Sequence, residues 1–175
     1  MTILEQRKEA AKIVRSLTGK SLKRSSTGRP IVDAPFDISI SHKEDIVVAA
    51  CIEKPCHIGI DVESLSEKIN EKLFLGTIFS HKELTEAKKI CRAQSLSESA
   101  AAIILWSIKE AFFKCIDKEL VPGSVRVRSI SRAGKVAFLP SPGLKRELGV
   151  MKQKPFSGAI FFESQYVFSL VVSSH

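Results

Sequence analysis

Six residues constrain this chain more than any others: Ile58-Gly59-Ile60-Asp61-Val62-Glu63. Polar and apolar side chains alternate with the period of a β-strand. Ile58, Ile60 and Val62 take one face; Gly59, Asp61 and Glu63 take the other. Two carboxylates then share a face about 7 Å apart along the strand, beside a glycine that admits close approach to the backbone. Like charges this near repel unless a cation lies between them. Hard oxygen ligands suit Mg²⁺, which takes one or two carboxylates and fills its shell with water and phosphate oxygens. The competing reading is an edge strand with a solvated acidic face.

The flanking sequence places this strand among other elements. Residues 4–17 read as a helix, with Ala10, Ala11, Ile13, Val14 and Leu17 as its apolar stripe and Gly19 as its stop. Residues 20–29 form a basic, hydroxyl-rich loop, either a phosphate cradle or an exposed turn. Residues 36–41 alternate again, and the apolar run 46–52 returns as a hairpin partner, leaving His42 at a strand end. Residues 74–79 are a short apolar patch. Ser80 and Glu83 form a capping box opening a helix to about Arg92. A second helix, from about Glu98 to Cys115, is apolar almost all round in its first half, so that half is buried. Trp106, Glu110 and Lys114 share a face of it, and the last two also read as an ordinary helix salt bridge. Residues 124–130, 135–139, 157–163 and 166–173 read as strands, with a loop over 140–154. This order predicts an α+β fold, an antiparallel sheet with packed helices.

Composition narrows the class. With 175 residues, 44% hydrophobic and 26% charged, the chain suits a soluble domain, or two tightly packed halves, with a real core. Its charged N-terminus lacks a signal-peptide pattern and no apolar run is long enough for a bilayer. The expectation is a cytoplasmic protein with no membrane contact. The four cysteines lack C-x-x-C spacing and read as reduced thiols; a zinc site on Cys51, Cys56 and His57 lacks a fourth ligand. A net charge of +8 favours an anionic partner, and it is uneven: residues 36–100 hold eight Lys/Arg against eleven Asp/Glu between two basic ends. Aromatic residues are only 7%, which argues against stacking on single-stranded nucleic acid.

Four segments occur in order: Gly28-Arg29-Pro30, Ile40-Ser41-His42, Gly59-Ile60-Asp61-Val62-Glu63 and Trp106-Ser107-Ile108-Lys109-Glu110-Ala111-Phe112-Phe113-Lys114, with Phe79-Ser80 and Glu83 between the last two. In this order they resemble the 4′-phosphopantetheinyl transferases of the surfactin-synthetase-activating type. The resemblance implies that fold, built of pseudo-duplicated halves: a truncated first half over residues 1–57 and a second over 58–175 carrying the metal site. It implies transfer of the 4′-phosphopantetheine arm of coenzyme A to a serine of an acyl or peptidyl carrier protein, releasing adenosine 3′,5′-bisphosphate. Asp61, Glu63 and Glu110 would hold Mg²⁺, with Mn²⁺ as the alternative ion. Lys114 and, more weakly, Lys109 would reach phosphate, while Arg29, Ser41 and His42 match contacts of the coenzyme's 3′-phosphate end. Arg7 aligns with a basic position on the first helix. The proton acceptor would be Glu110, Glu83 or a metal-held water. No nucleic acid is expected as partner; the oligomeric state is left open, self-association being one way to supply surface missing from the short first half. The alternative is a truncated, non-catalytic relative that binds coenzyme A or a carrier protein. Two departures from the family pattern stand out: Lys43 follows His42 where a small polar residue is usual, and Asp117 and Glu119 replace glycines after the long helix.

Overall fold

The structure, a computed structural model, describes the chain apart from Thr27, Lys68, Leu120, Pro122, residues 149–155, His175 and the Lys72 side chain. Helix α1 (Ile3–Thr18) precedes a small ribbon of β1 (Lys23–Arg24) and β2 (Pro30–Ile31), then the hairpin of β3 (Phe36–Lys43) and β4 (Ile46–Glu53). Strand β5 (His57–Ser64) follows, then helices α2 (Glu71–Phe74), α3 (His81–Ala93) and α4 (Ala101–Ile116), the last entered through a 3₁₀ turn at Glu98–Ala100. Strands β6 (Val125–Ile130) and β7 (Lys135–Pro140), the short helix α5 (Pro142–Glu147), and strands β8 (Ser157–Glu163) and β9 (Tyr166–Ser173) complete the order. The fold is α+β, with a five-stranded antiparallel sheet in the order β5-β9-β8-β7-β6.

Local chemistry explains the boundaries. Thr2 and Glu5 close a capping box on α1, and Gly19 ends it in the left-handed region at φ 68°. Ser80 and Glu83 do the same at the start of α3. The region 140–154, expected to be loop, contains α5: Ser141 caps it and Pro142 enters at the first turn, where its missing N–H costs nothing. The end of that expected loop, 149–154, lies outside the described residues. In the basic segment 20–29, the Arg24 guanidinium donates to the Gly28 carbonyl and Ser25 Oγ accepts from the Arg29 N–H.

Helix α4 is the centre of the molecule. Ala101, Ala102, Ile103, Ile104 and Leu105 are entirely buried, packed with α3 and with Val127, Val136, Ile160 and Val167 of the sheet. Its second half meets Val125, Leu144 and Val171. Residues 59, 61 and 63 face this helix, so the acidic face is covered: Asp61 is only 4% exposed. The solvated acidic face is therefore overturned, although β5 does lie at the edge of the sheet.

Gly59 permits that approach, and what approaches is the helix itself. A Cβ there would sit 1.9 Å from the Ala111 carbonyl oxygen and 2.5 Å from the Cys115 nitrogen. Because both are helix backbone, α4 would have to lift off the sheet. Gly59→Ala is expected to cost about 3 kcal/mol and to lower the Tm by about 10 °C, read by thermal unfolding followed by circular dichroism.

The outer edge of β5 is satisfied in an unusual way. Its main-chain partner is β9, yet its other N–H groups do not face water. Ile58 N–H donates to Asp37 Oδ2 (2.9 Å), Ile60 N–H to Ser39 Oγ (3.0 Å) and Val62 N–H to Ser41 Oγ (3.4 Å). The alternation in β3 produces this: Asp37, Ser39 and Ser41 turn to β5 while Phe36, Ile38 and Ile40 pack with Val14 and Val32. A row of short polar side chains thus joins the hairpin to the sheet and meets the need to pair buried N–H groups.

Candidate active site

On the covered face, side chains from three elements converge. Asp61 Oδ1 accepts from Lys114 Nζ of α4 at 2.7 Å and from Ser41 Oγ of β3 at 2.9 Å. Lys114 Nζ also lies 3.1 Å from Ser41 Oγ, so lysine, serine and aspartate form a closed triangle. The ammonium of Lys114 is thereby directed across to the strand. Asp61 Oδ2 is buried and has no hydrogen-bond partner among the described residues. Ser169, opposite Asp61 in the β5–β9 register, likewise buries an unpartnered hydroxyl. Two residues along, Glu63 Oε2 lies 2.7 Å from Lys43 Nζ, an ion pair out of line for a hydrogen bond, and Lys43 reaches Glu67 Oε1 at 2.5 Å.

Glu110 is half-buried one turn before Lys114 on α4. Burial raises its pKa most; Lys114 opposes this, and the charges of Asp61 and Glu63 raise it further. Glu63 is also raised, by burial first, against the pull of Lys43 and with the push of Asp61. These mutual effects place the three carboxyl groups within one another's fields, the condition in which one of them holds a proton more readily than in water. For Lys43, burial works downward, but Glu63 and Glu67 outweigh it and the pKa rises.

The donor set suits a hard divalent cation: it is all oxygen, and Asp61 Oδ2 is a buried acceptor with nothing to accept from. As the side chains stand, no three His, Cys, Asp or Glu groups among the described residues form a metal-holding set, and lysines sit against Asp61 and Glu63. Beside this cluster is a cavity of about 510 Å³ whose walls include Arg29, Pro30, Ser39, Phe113, Lys114, Asp117 and Lys118. Arg29, Lys114 and Lys118 bring positive charge to this lining, against the acidic Asp117 and Glu119.

The family model of the 4′-phosphopantetheinyl transferase superfamily matches residues 57–157, more than half of the chain. The chain belongs to this superfamily. It is similar to the 4′-phosphopantetheinyl transferase gsp of Aneurinibacillus migulanus, 32% identical over 99 residues that cover 55% of this chain and 38% of that protein. It thus spans well under half the length of the curated relative it matches. Among solved structures it is similar to the holo-[acyl-carrier-protein] synthase of Neisseria meningitidis, with a TM-score of 0.50 and 22% identity, covering 68% of this chain and 98% of that one. That likeness shows a shared fold. A coenzyme A complex of the synthase from Chronobacterium ammoniagenes gives a TM-score of 0.47 at 16% identity, covering 70% of this chain and 98% of that one.

The motifs that carry the family resemblance do not all meet at the cluster. Asp61, Lys114 and Ser41 do by direct contact, and Glu63 and Glu110 lie within the electrostatic reach of Asp61. Arg29 lies alongside, its guanidinium 2.8 Å from Asp37 Oδ1 and 3.0 Å from Asp117 Oδ2. His42 is exposed at the end of β3, and Arg7 is exposed on α1. Lys109 requires a correction. It is 3% exposed, its Nζ donates to the carbonyls of Ile78 (2.5 Å) and Val125 (3.0 Å), and it pairs with Glu83 at 2.9 Å. One residue on a helix is a rotation of roughly 100°, so Lys109 points to α3 and β6 while Glu110 points to β5. A lysine so enclosed does not contact coenzyme.

Glu83 shares that enclosure. Its Oε2 accepts from the Ser80 N–H and hydroxyl, and its Oε1 from the Val127 N–H and Lys109. Burial alone would raise its pKa, but Lys109 and these donors overcome that and lower it. An acceptor so occupied is a poor base, so its role is structural. Asp37 and Lys43 were not among the expected site residues. For Asp37 the signal was present, since the alternation placing Ser39 and Ser41 on one face places it there too. The four cysteines are free thiols. Burial first of all pushes Cys91 and Cys115 up to about 11, which makes them inert packing groups.

Proposed function

We propose that this chain transfers the 4′-phosphopantetheine arm of coenzyme A to a serine hydroxyl of an acyl or peptidyl carrier protein. The serine oxygen forms a bond to the pantetheine-bearing phosphorus as the phosphoanhydride bond breaks, and adenosine 3′,5′-bisphosphate leaves. Membership of the superfamily supports the reaction class. The observation that supports the site is the triangle of Asp61, Ser41 and Lys114 on the covered face of β5, with Glu63 and Glu110 in the field of Asp61.

Within that reading, Asp61, Glu63 and Glu110 hold Mg²⁺ or Mn²⁺. When bound, the ion supplies charge neutralisation for the diphosphate. Lys114, already aimed at the cluster, binds a phosphate oxygen, and Arg29 and Lys118 line the cavity that receives the coenzyme. A carboxylate that holds the ion is a poor base, so in this reading the serine proton passes to water rather than to Glu110. His42 and Arg7, both exposed, remain available to the coenzyme's 3′-phosphate end or to an acidic carrier. Residues 1–57 and 58–175 act as the chain's two parts, the second carrying the three carboxylates. Among the described residues no helix is long and apolar enough to cross a membrane, and a cytoplasmic setting is part of the proposal.

Mass spectrometry of an apo carrier protein, incubated with this chain, coenzyme A and Mg²⁺, tests the reading. Addition of one phosphopantetheine group is expected. Tight coenzyme binding without any mass gain across acyl and peptidyl carriers would favour the non-catalytic alternative.

A further inference from the structure

Lys43 stands where an added cation would compete with it. Its Nζ contacts Glu63 Oε2 at 2.7 Å and Glu67 Oε1 at 2.5 Å, and its side chain is only 21% exposed. Asp61 presents a different situation: Lys114 and Ser41 take one oxygen, while Oδ2 is buried and unpartnered. Asp61 therefore keeps one oxygen that no cation of the chain occupies. At Glu63 an ion meets the charge of Lys43, which sits on Oε2, and Glu67, within ion-pair distance already and 47% exposed on its side chain, is there to hold the ammonium if it swings aside.

We propose that Lys43 is a built-in competitor for Glu63 that sets how tightly this site takes a divalent cation. The inference rests on the reading of Asp61, Glu63 and Glu110 as an ion site, and adds that the chain carries its own counter-charge to one of the three. Two cations cannot share one carboxylate oxygen at contact distance without strong repulsion. An ion bound through Glu63 thus either displaces Lys43 from Oε2 or sits on the same carboxylate against its repulsion.

The test is titration of the 175-residue chain with Mn²⁺, following free Mn²⁺ by electron paramagnetic resonance, with neither coenzyme nor carrier present. Lys43→Met keeps the apolar stem and removes the charge; it is expected to bind Mn²⁺ about tenfold more tightly than wild type. Lys43→Arg keeps the competitor and is expected to stay within about twofold of wild type. Should Lys43→Met fail to fold, Lys43→Ser carries the same expectation as Lys43→Met. Equal or weaker binding by the uncharged variant, with binding still abolished by Asp61→Asn, overturns the role of Lys43 and leaves the ion site standing. If neither wild type nor the uncharged variant binds Mn²⁺, the ion site and this proposal fall together.

Discussion

Asp61→Asn is expected to lower phosphopantetheine transfer by about 10³-fold, the scale of removing one preorganised charge contact from a phosphoryl-transfer site. The same variant should change stability by no more than about 1 kcal/mol. Asparagine keeps the oxygen that Lys114 and Ser41 address. The atom it replaces, Oδ2, already lacks a partner, and removing the charge relieves its repulsion of Glu63 and Glu110. A large loss of turnover with an unchanged thermal transition is therefore the expected signature, measured as carrier mass gain against time beside a melting curve. A variant that melts early and turns over normally would place Asp61 in the scaffold instead.

Lys109→Ala should do the opposite. It leaves Glu83 as a buried, uncompensated carboxylate and strips a donor from the carbonyls of Ile78 and Val125, at a cost of about 4 kcal/mol. Replacing both partners, Lys109→Met with Glu83→Gln, should recover part of that loss, since no buried charge is left unpaired. The pair also gives the chain an acid-sensitive component. The folded-state pKa of Glu83 is depressed below its ordinary 4.5, so its stabilisation is present above that value and is lost as pH falls through the lower folded value. Urea unfolding of wild type between neutral pH and pH 3 should show this loss, and the double variant should show less of it.

The contrast between Glu110 and its neighbour Lys109 also marks how far the sequence could be read. Elements resting on local signals were legible: the alternation in β3 and β5, the capping box at Ser80 and Glu83, the apolar first half of α4 and the hairpin of β8 and β9 all occur where those signals lie. Legible, too, was the pairing of Gly59 with something close, but not that the something is α4. Which neighbour each face of a helix meets depends on packing between distant segments, and adjacent letters in a motif point in different directions. Hence Lys109, one position from Glu110, belongs to the scaffold between α3 and β6. Lys43 could be seen as a departure from the family pattern, yet its contact with Glu63 depends on how the β3–β4 hairpin docks onto β5. Likewise α5 was hidden because a proline and a glycine suggest a loop, whereas Ser141 and Pro142 together start a short helix.

The most direct test of a shared site on Asp61, Glu63 and Glu110 is a crystal of this protein soaked in Mn²⁺ with coenzyme A, examined by anomalous scattering at the manganese edge. A single peak bounded by oxygens of all three carboxylates, with Lys114 on the coenzyme's phosphate, is the predicted result. A peak elsewhere, or Glu110 turned away from the two strand carboxylates with the coenzyme bound, would contradict it.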